Sequence, residues 1–178
     1  MRWVFLLLTL ASLGVQAQPY RPGSFGALIA SVPTLELPLD ITGEPLHSPG
    51  MSPVGSEWSG YLPDASLDYG RRYVVGSLDL YDSVEILLYE VESPAGGYSS
   101  TYYLLTYDFA GSPIDYAKIA EVSGSLEHDT QSAVAIDSGG HVSGTIVTTR
   151  YGEDETIMSE ATETISLMIS PSGAIRHD

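Results

Sequence analysis

The chain contains no cysteine. Disulfides therefore add nothing to its stability, and thiolate nucleophiles, cysteine-ligated zinc and iron–sulfur clusters are excluded. Asparagine is also absent, so N-linked glycosylation has no acceptor. Lysine occurs once, at Lys118, and Arg71-Arg72 is the one adjacent basic pair, against 23 acidic residues and a net charge of −16. A phosphate polyanion is bound through clustered lysine and arginine, so neither nucleic acid nor an anionic lipid surface is expected as a partner. The acidity reads either as colloidal, keeping like-charged molecules apart, or as a patch for cations or a basic partner. Gly-x-Gly-x-x-Gly, phosphate-cradling loops and the Asp-x-Asp-x-Asp-Gly calcium loop are all missing, and no cofactor or metal is expected.

What is present begins with a tripartite leader. Arg2 supplies a basic start, Trp3 to Leu10 an apolar run, and Val15-Gln16-Ala17 a small-residue end. That pattern is a secretory signal peptide over 1–17. Its apolar run falls short of the roughly 20 residues that cross a bilayer. Cleavage near Ala17 implies a protein exported to the periplasm or secreted, with no membrane insertion afterwards. The remainder suits one domain with a single core.

Residues 18–66 are rich in proline, glycine and serine and are expected to be irregular. Within them, 33–41 (PTLELPLDI) alternates leucine with other residues. It reads as one strand, pushed to an edge by Pro38, or as an extended segment across the core. Residues 42–57 read as a surface loop, Trp58, Tyr61 and Leu62 as anchors returning the chain to the body, and 64–69 as a short helical turn.

From 67 to 178 the sequence reads as an antiparallel β domain. Runs 72–80 and 84–91 flank the polar break Tyr81-Asp82-Ser83, and the second run is apolar on both faces. The strongest local signal is STYYLLTYDFAGSPID, Ser100 to Asp115. Asp108 can accept from the turn's own amides and Gly111 tolerates a left-handed backbone, which closes a hairpin. The same chemistry recurs at Asp137 and Gly140, and at Ser170 and Gly173. Strands are expected over about 100–107, 112–121, 131–136, 141–150, 162–169 and 174–176, with the acidic loop 152–155 on the surface. No segment beyond the leader shows a sustained 3.6-residue apolar period. The fold class is all-β: an antiparallel meander of consecutive hairpins, one sheet curling into a sandwich or open barrel.

The order LELPLDI, RYVVGSLDLYDSVEILLYEV, TYYLLTYDFAGSPID and two later turn-centred hairpins resembles a group of uncharacterised exported proteins of Gram-negative bacteria. The likeness covers roughly residues 31–178, with LLTYDFAGSPID its most specific part. It implies a β-rich exported domain and carries no activity, substrate or catalytic residue. Pro113 departs from the pattern, standing where a strand residue with a free amide is usual.

Candidate chemistry is sparse. His47, His128, His141 and His177 are isolated from one another and read as solvated, and no Gly-x-Ser-x-Gly elbow accompanies them. Glu85, Glu90 and Glu92 border a central strand, and a pair of carboxyls across a loop-lined cleft would suit a hydrolase. Tyr98, Tyr102, Tyr103, Tyr107 and Tyr116 crowd the central hairpin, where aromatic rings either form a binding surface or simply suit a half-buried sheet. The leading expectation is an exported, non-enzymatic β domain that contacts a protein or glycan through those tyrosines. A carboxylate-dependent hydrolase is the competing one.

Overall fold

The computed structural model describes residues 21, 23–43, 45–48, 50–62, 70–93, 97–152 and 156–178. The leader over 1–17, the helical turn expected over 64–69 and the acidic residues 153–155 lie outside the described residues.

The chain enters through α1 (Phe25–Ser31), β1 (Thr34–Leu35) and β2 (Leu39–Thr42), followed by a 3-10 helix over Ser56–Tyr61. The meander then comprises β3 (Arg71–Leu78), β4 (Glu85–Ser93), β5 (Tyr98–Tyr107), β6 (Pro113–Gly124), β7 (His128–Ile136), β8 (His141–Tyr151), β9 (Ile157–Ile169) and β10 (Ile175–His177). Neighbours in sequence pair in order from β3 to β10, forming one mostly antiparallel, open sheet of 10 strands. The all-β hairpin meander is thus the architecture found.

The sheet folds over where β6 and β7 part. They share only the pairs Ser123 with Thr130 and Gly124 with Asp129. Beyond that point β2 pairs with β7, from Leu39 opposite Ile136 to Thr42 opposite Ala133. At the divergence the Ser132 hydroxyl donates to the Glu121 carbonyl at 2.7 Å and accepts from the Glu121 amide at 2.8 Å. One side chain thus supplies both hydrogen bonds that a neighbouring strand would have made.

Folding the sheet encloses a core between its halves. Ile86, Leu88, Leu104 and Ile119 from one half pack in the same cluster as Val134, Ile136, Val142, Ile146 and Leu167 from the other. The opposite face of β3–β5 presents Val74, Leu87, Tyr89, Leu105 and Tyr107 to Phe25, Leu28 and Leu62, with Trp58 and Tyr61 alongside. Both faces of β4 are therefore covered, which is why its run carries apolar residues at both parities.

The segment 18–66 is less irregular than its composition implies. The Ser24 side chain caps α1 by accepting from Ala27 N at 3.3 Å, and Val32, extended as the residue before Pro33, ends the helix. Seven residues are too few to display a helical period, and so short a helix is held by packing rather than propensity. Phe25 and Leu28 are buried, contributing roughly 1.5–3 kcal/mol each. Residues 33–41 form two strands, interrupted around Pro38. β1 runs parallel to β3, with Thr34 opposite Ser77 and Leu35 opposite Leu78. Gly76 permits that approach: a Cβ there would lie 2.6 Å from both Leu35 Cγ and Pro33 O. The boundary drawn at residue 66 is not a boundary in the packing, since both strands belong to the main sheet.

The recurrent turns share one geometry. Asp108 Oδ1 accepts from Ala110 N at 2.9 Å and Ser112 N at 2.8 Å. Asp137 Oδ1 accepts from Gly139 N at 2.8 Å and His141 N at 2.9 Å, and Ser170 Oγ from Ala174 N at 3.1 Å. Gly111, Gly140 and Gly173 close these turns at φ of 84°, 82° and 83°. Pro113 opens β6 opposite Tyr107, and the register shifts between Thr106 and Tyr107 to admit it.

Candidate binding groove and a buried histidine–glutamate pair

Strand alternation divides the tyrosines of the central hairpin. Tyr102 points into the core between the two halves of the sheet, and Tyr107 packs on the opposite face under α1; both are buried. Burial pushes both phenols well above the usual tyrosine value. Tyr103 is partly buried, while Tyr98 and Tyr116 are exposed. Tyr98 stands opposite Gly124, its ring occupying the space a side chain would take there. The expectation of one surface formed by all five is corrected: a period of two sends neighbours to opposite faces, and here both faces are covered.

Two of the five meet in a groove. Leu105 and Tyr116 are partners in register, and with Tyr107, Tyr61, Leu62 and Ile114 they line a depression of about 460 Å³. The Tyr107 hydroxyl donates to the Tyr61 carbonyl, tying the 3-10 helix to β5. Phe25 meets both of these rings, at 5.4 Å from Tyr61 and 4.8 Å from Tyr107. Asp115, also on the groove, is engaged: Oδ1 accepts from Tyr116 N and Oδ2 from Ile175 N, each at 2.9 Å. At the hairpin Phe109 is 64% and Tyr116 62% exposed, with Ile114 also open to solvent. The site is therefore aromatic and apolar, with its carboxylate and its buried hydroxyl already paired within the chain. Tyr61 and Leu62 were not among the sequence candidates for binding, because only the tertiary fold brings residues 60–62 beside β6.

A second constellation lies on the inner face. Glu90 on β4 is 0% exposed and stands between Tyr73 on β3 and Tyr102 on β5. His47 closes over it: Nδ1 lies 3.0 Å from Glu90 Oε1, and the His47 main-chain amide donates to Oε2 at 3.1 Å. The adjacent Leu46 amide donates to the Tyr102 hydroxyl at 3.2 Å. His47 is thus not the solvated residue expected from its Pro/Gly-rich surroundings. A signal did exist: Glu90 has the core parity of an apolar run, and a buried carboxylate requires partners.

A carboxylate that holds Nδ1–H leaves Nε2 as the acceptor, the arrangement that orients a general base. Neither His47 nor Glu90, however, lines the Tyr116 groove or the larger depression of about 720 Å³ at Glu127, His128, Arg150 and Met158. Glu92, two residues along the same face, accepts from the Tyr73 hydroxyl at 3.1 Å and lies 3.9 Å from Arg71. Both Glu90 oxygens are occupied by His47, so Glu90 and Glu92 do not converge on a shared cleft. Glu85 is partly buried at the start of β4, opposite Tyr107.

The remaining histidines are peripheral. His128 Nδ1 lies 2.9 Å from Ser125 Oγ and His141 Nε2 lies 3.1 Å from Asp178 Oδ2, while His177 is exposed. Among the described residues, no three or more of His, Cys, Asp and Glu gather as a metal site. No helix among them is long and apolar enough to cross a membrane.

Comparison with family models, with curated proteins and with solved structures finds no match to this chain.

Proposed function

We propose that this chain is an exported, non-catalytic β domain of the bacterial envelope or the extracellular space, and that it binds an apolar stretch of a protein partner. The contact is the groove between the 3-10 helix and the β5–β6 hairpin. Export rests on the basic, apolar and small-residue order of the leader.

The observation that carries the binding reading is the exposure of Ile114 and Tyr116 on the wall of a depression whose carboxylate and buried hydroxyl are already used. Large apolar side chains gathered on a surface are the mark of a contact site. A glycan needs converging donors and acceptors as well as rings to stack on. With Asp115 and the Tyr107 hydroxyl both occupied, the groove offers mainly apolar area, which favours a protein side chain over a sugar.

The test is a titration of isotope-labelled protein with peptides selected from a displayed random library and, separately, with a panel of oligosaccharides. Aromatic-rich peptides should shift the amides of Tyr61, Leu105 and Tyr116. Tyr116→Ala should weaken them at least about tenfold, or about 1.4 kcal/mol, at unchanged melting temperature. Selected peptides that leave these amides unmoved, or an oligosaccharide that moves them in the peptides' place, would sink the reading.

A further inference from the structure

β9 has two edges in different states. Along one, β8 pairs with it from Ile157 to Met168. Along the other, β10 covers only Leu167 to Ile169, with the Asp178 amide reaching Ser166 O at 3.1 Å. Among the described residues no strand pairs with this second edge over 157–165. Residues 157–164 are exposed at every position, so both faces of the stretch are open, with Ile157 at 65% and Met158 at 74%.

Ladder parity identifies the groups left outward. Ile169 N donates to Gly140 O, toward β8, whereas Ser166 O accepts from Asp178, on the far side. In an antiparallel ladder such directions alternate residue by residue. Thr164, Thr162 and Glu160 therefore each direct an N–H and a C=O away from β8.

We infer that this edge accepts an extended basic segment of another protein as an added strand, continuing the line that β10 begins. Main-chain hydrogen bonds would supply affinity, and the side chains alternating beside them specificity. Charge selects the occupant. Glu160 pairs with Thr149, which pairs with Asp129, so one face carries two carboxylates across Thr149, with Glu160 at the edge. Glu163 lies on the other face, and the lysine nearest it, Lys118, is already held by Glu121 at 2.7 Å. A lysine or arginine opposite Glu160, flanked by β-branched residues opposite Thr162 and Thr164, satisfies this pattern. A second copy of the chain does not. Two-fold antiparallel pairing centred on Thr162 sets Glu160 against Thr164 of the other copy and Glu163 against Ala161, which brings no cation to any of the four glutamates, and the net charge of −16 on each chain opposes association.

Hydrogen exchange on the full chain tests this, with a capped valine-rich peptide carrying two lysines three residues apart, the spacing of Glu160 and Glu163, and its counterpart with glutamate in place of lysine as probes. The amides of Glu160, Thr162 and Thr164 should exchange quickly in the free protein. The lysine peptide should slow them at least about tenfold, and the glutamate peptide should leave them unchanged. The double variant Glu160→Lys, Glu163→Lys, altered only at exposed positions, should reverse that preference. A lysine peptide without effect, equal slowing by both peptides, or slow exchange in the free protein together with a dimer's mass would each overturn the inference.

Discussion

The imidazole of His47 lies flat against the phenol ring of Tyr73, with 4.2 Å between centroids and 2° between planes. This stacking holds the histidine, which lies outside any helix or strand, over a carboxylate removed from water. Glu90 has both oxygens satisfied by that one residue, so the pair fastens residues 46–47 across the inner face of the sheet.

Breaking such a pair from one side strands a buried carboxyl group. His47→Leu should lower the unfolding free energy by about 1–3 kcal/mol, since it leaves a buried acceptor without its side-chain hydrogen bond. His47→Leu combined with Glu90→Leu should recover more than half of that loss. Urea unfolding of the wild type, the single variants and the double variant measures both; strictly additive losses would show that the pair does not act as a unit.

Gly111 meets two demands at once. Its φ of 84° disfavours any side chain, and an added Cβ would fall 2.5 Å from Phe25 Cβ. Gly111→Val should therefore cost about 2–4 kcal/mol, read as a lowered melting temperature. In a Phe25→Ala background, itself about 3 kcal/mol less stable, the further cost should fall only in part, because alanine keeps the Cβ at 2.5 Å and removes the ring atoms at 2.6 and 3.1 Å. The same contact bears on truncation: deleting 18–30, tolerable if the segment were unpacked, removes Phe25 and Leu28 from a core and should destabilise the fold.

Ser132 stands in for an absent strand. Ser132→Ala leaves the Glu121 amide and carbonyl without their bridging hydroxyl, at a cost of about 1–3 kcal/mol. Hydrogen exchange should show the Glu121 amide opening faster in the variant, while the amides of β3 and β4 slow or quicken only with global stability.

Acid should loosen the hairpin turns. Asp108 is held below the ordinary aspartate range chiefly by the Ser112 amide, and Asp137 chiefly by that of His141. Because the folded-state values are depressed, the unfolded chain takes up protons first as pH falls. The stabilisation is complete above about pH 4–5 and disappears as pH drops through the folded values. Urea midpoints measured down from neutrality should decline below about pH 4. Asp108→Asn with Asp137→Asn should flatten that limb and lower the neutral plateau.

The strands and their turns were legible because their causes are local. A period of two, punctuated by Asp or Ser and closed by glycine three residues later, describes the hairpin at Asp108 as fully as the one at Asp137. α1 escaped because a seven-residue helix with two buried side chains carries too little pattern to separate from a proline- and glycine-rich loop. The tyrosine candidates were half misplaced for a related reason: alternation reveals that Tyr102 and Tyr103 face opposite ways, but not which faces are covered.

Composition and alternation by themselves determined the absence of disulfides, the β class, the hairpin order and the three reversing turns, since each follows from the chemistry of residues adjacent in the chain. The parting of β6 from β7, the insertion of β2, the cover over Tyr107, the His47–Glu90 pair and the open edge of β9 were decided only in three dimensions. Each joins groups far apart in sequence, and their pairing depends on which surfaces remain unburied once the hairpins have formed.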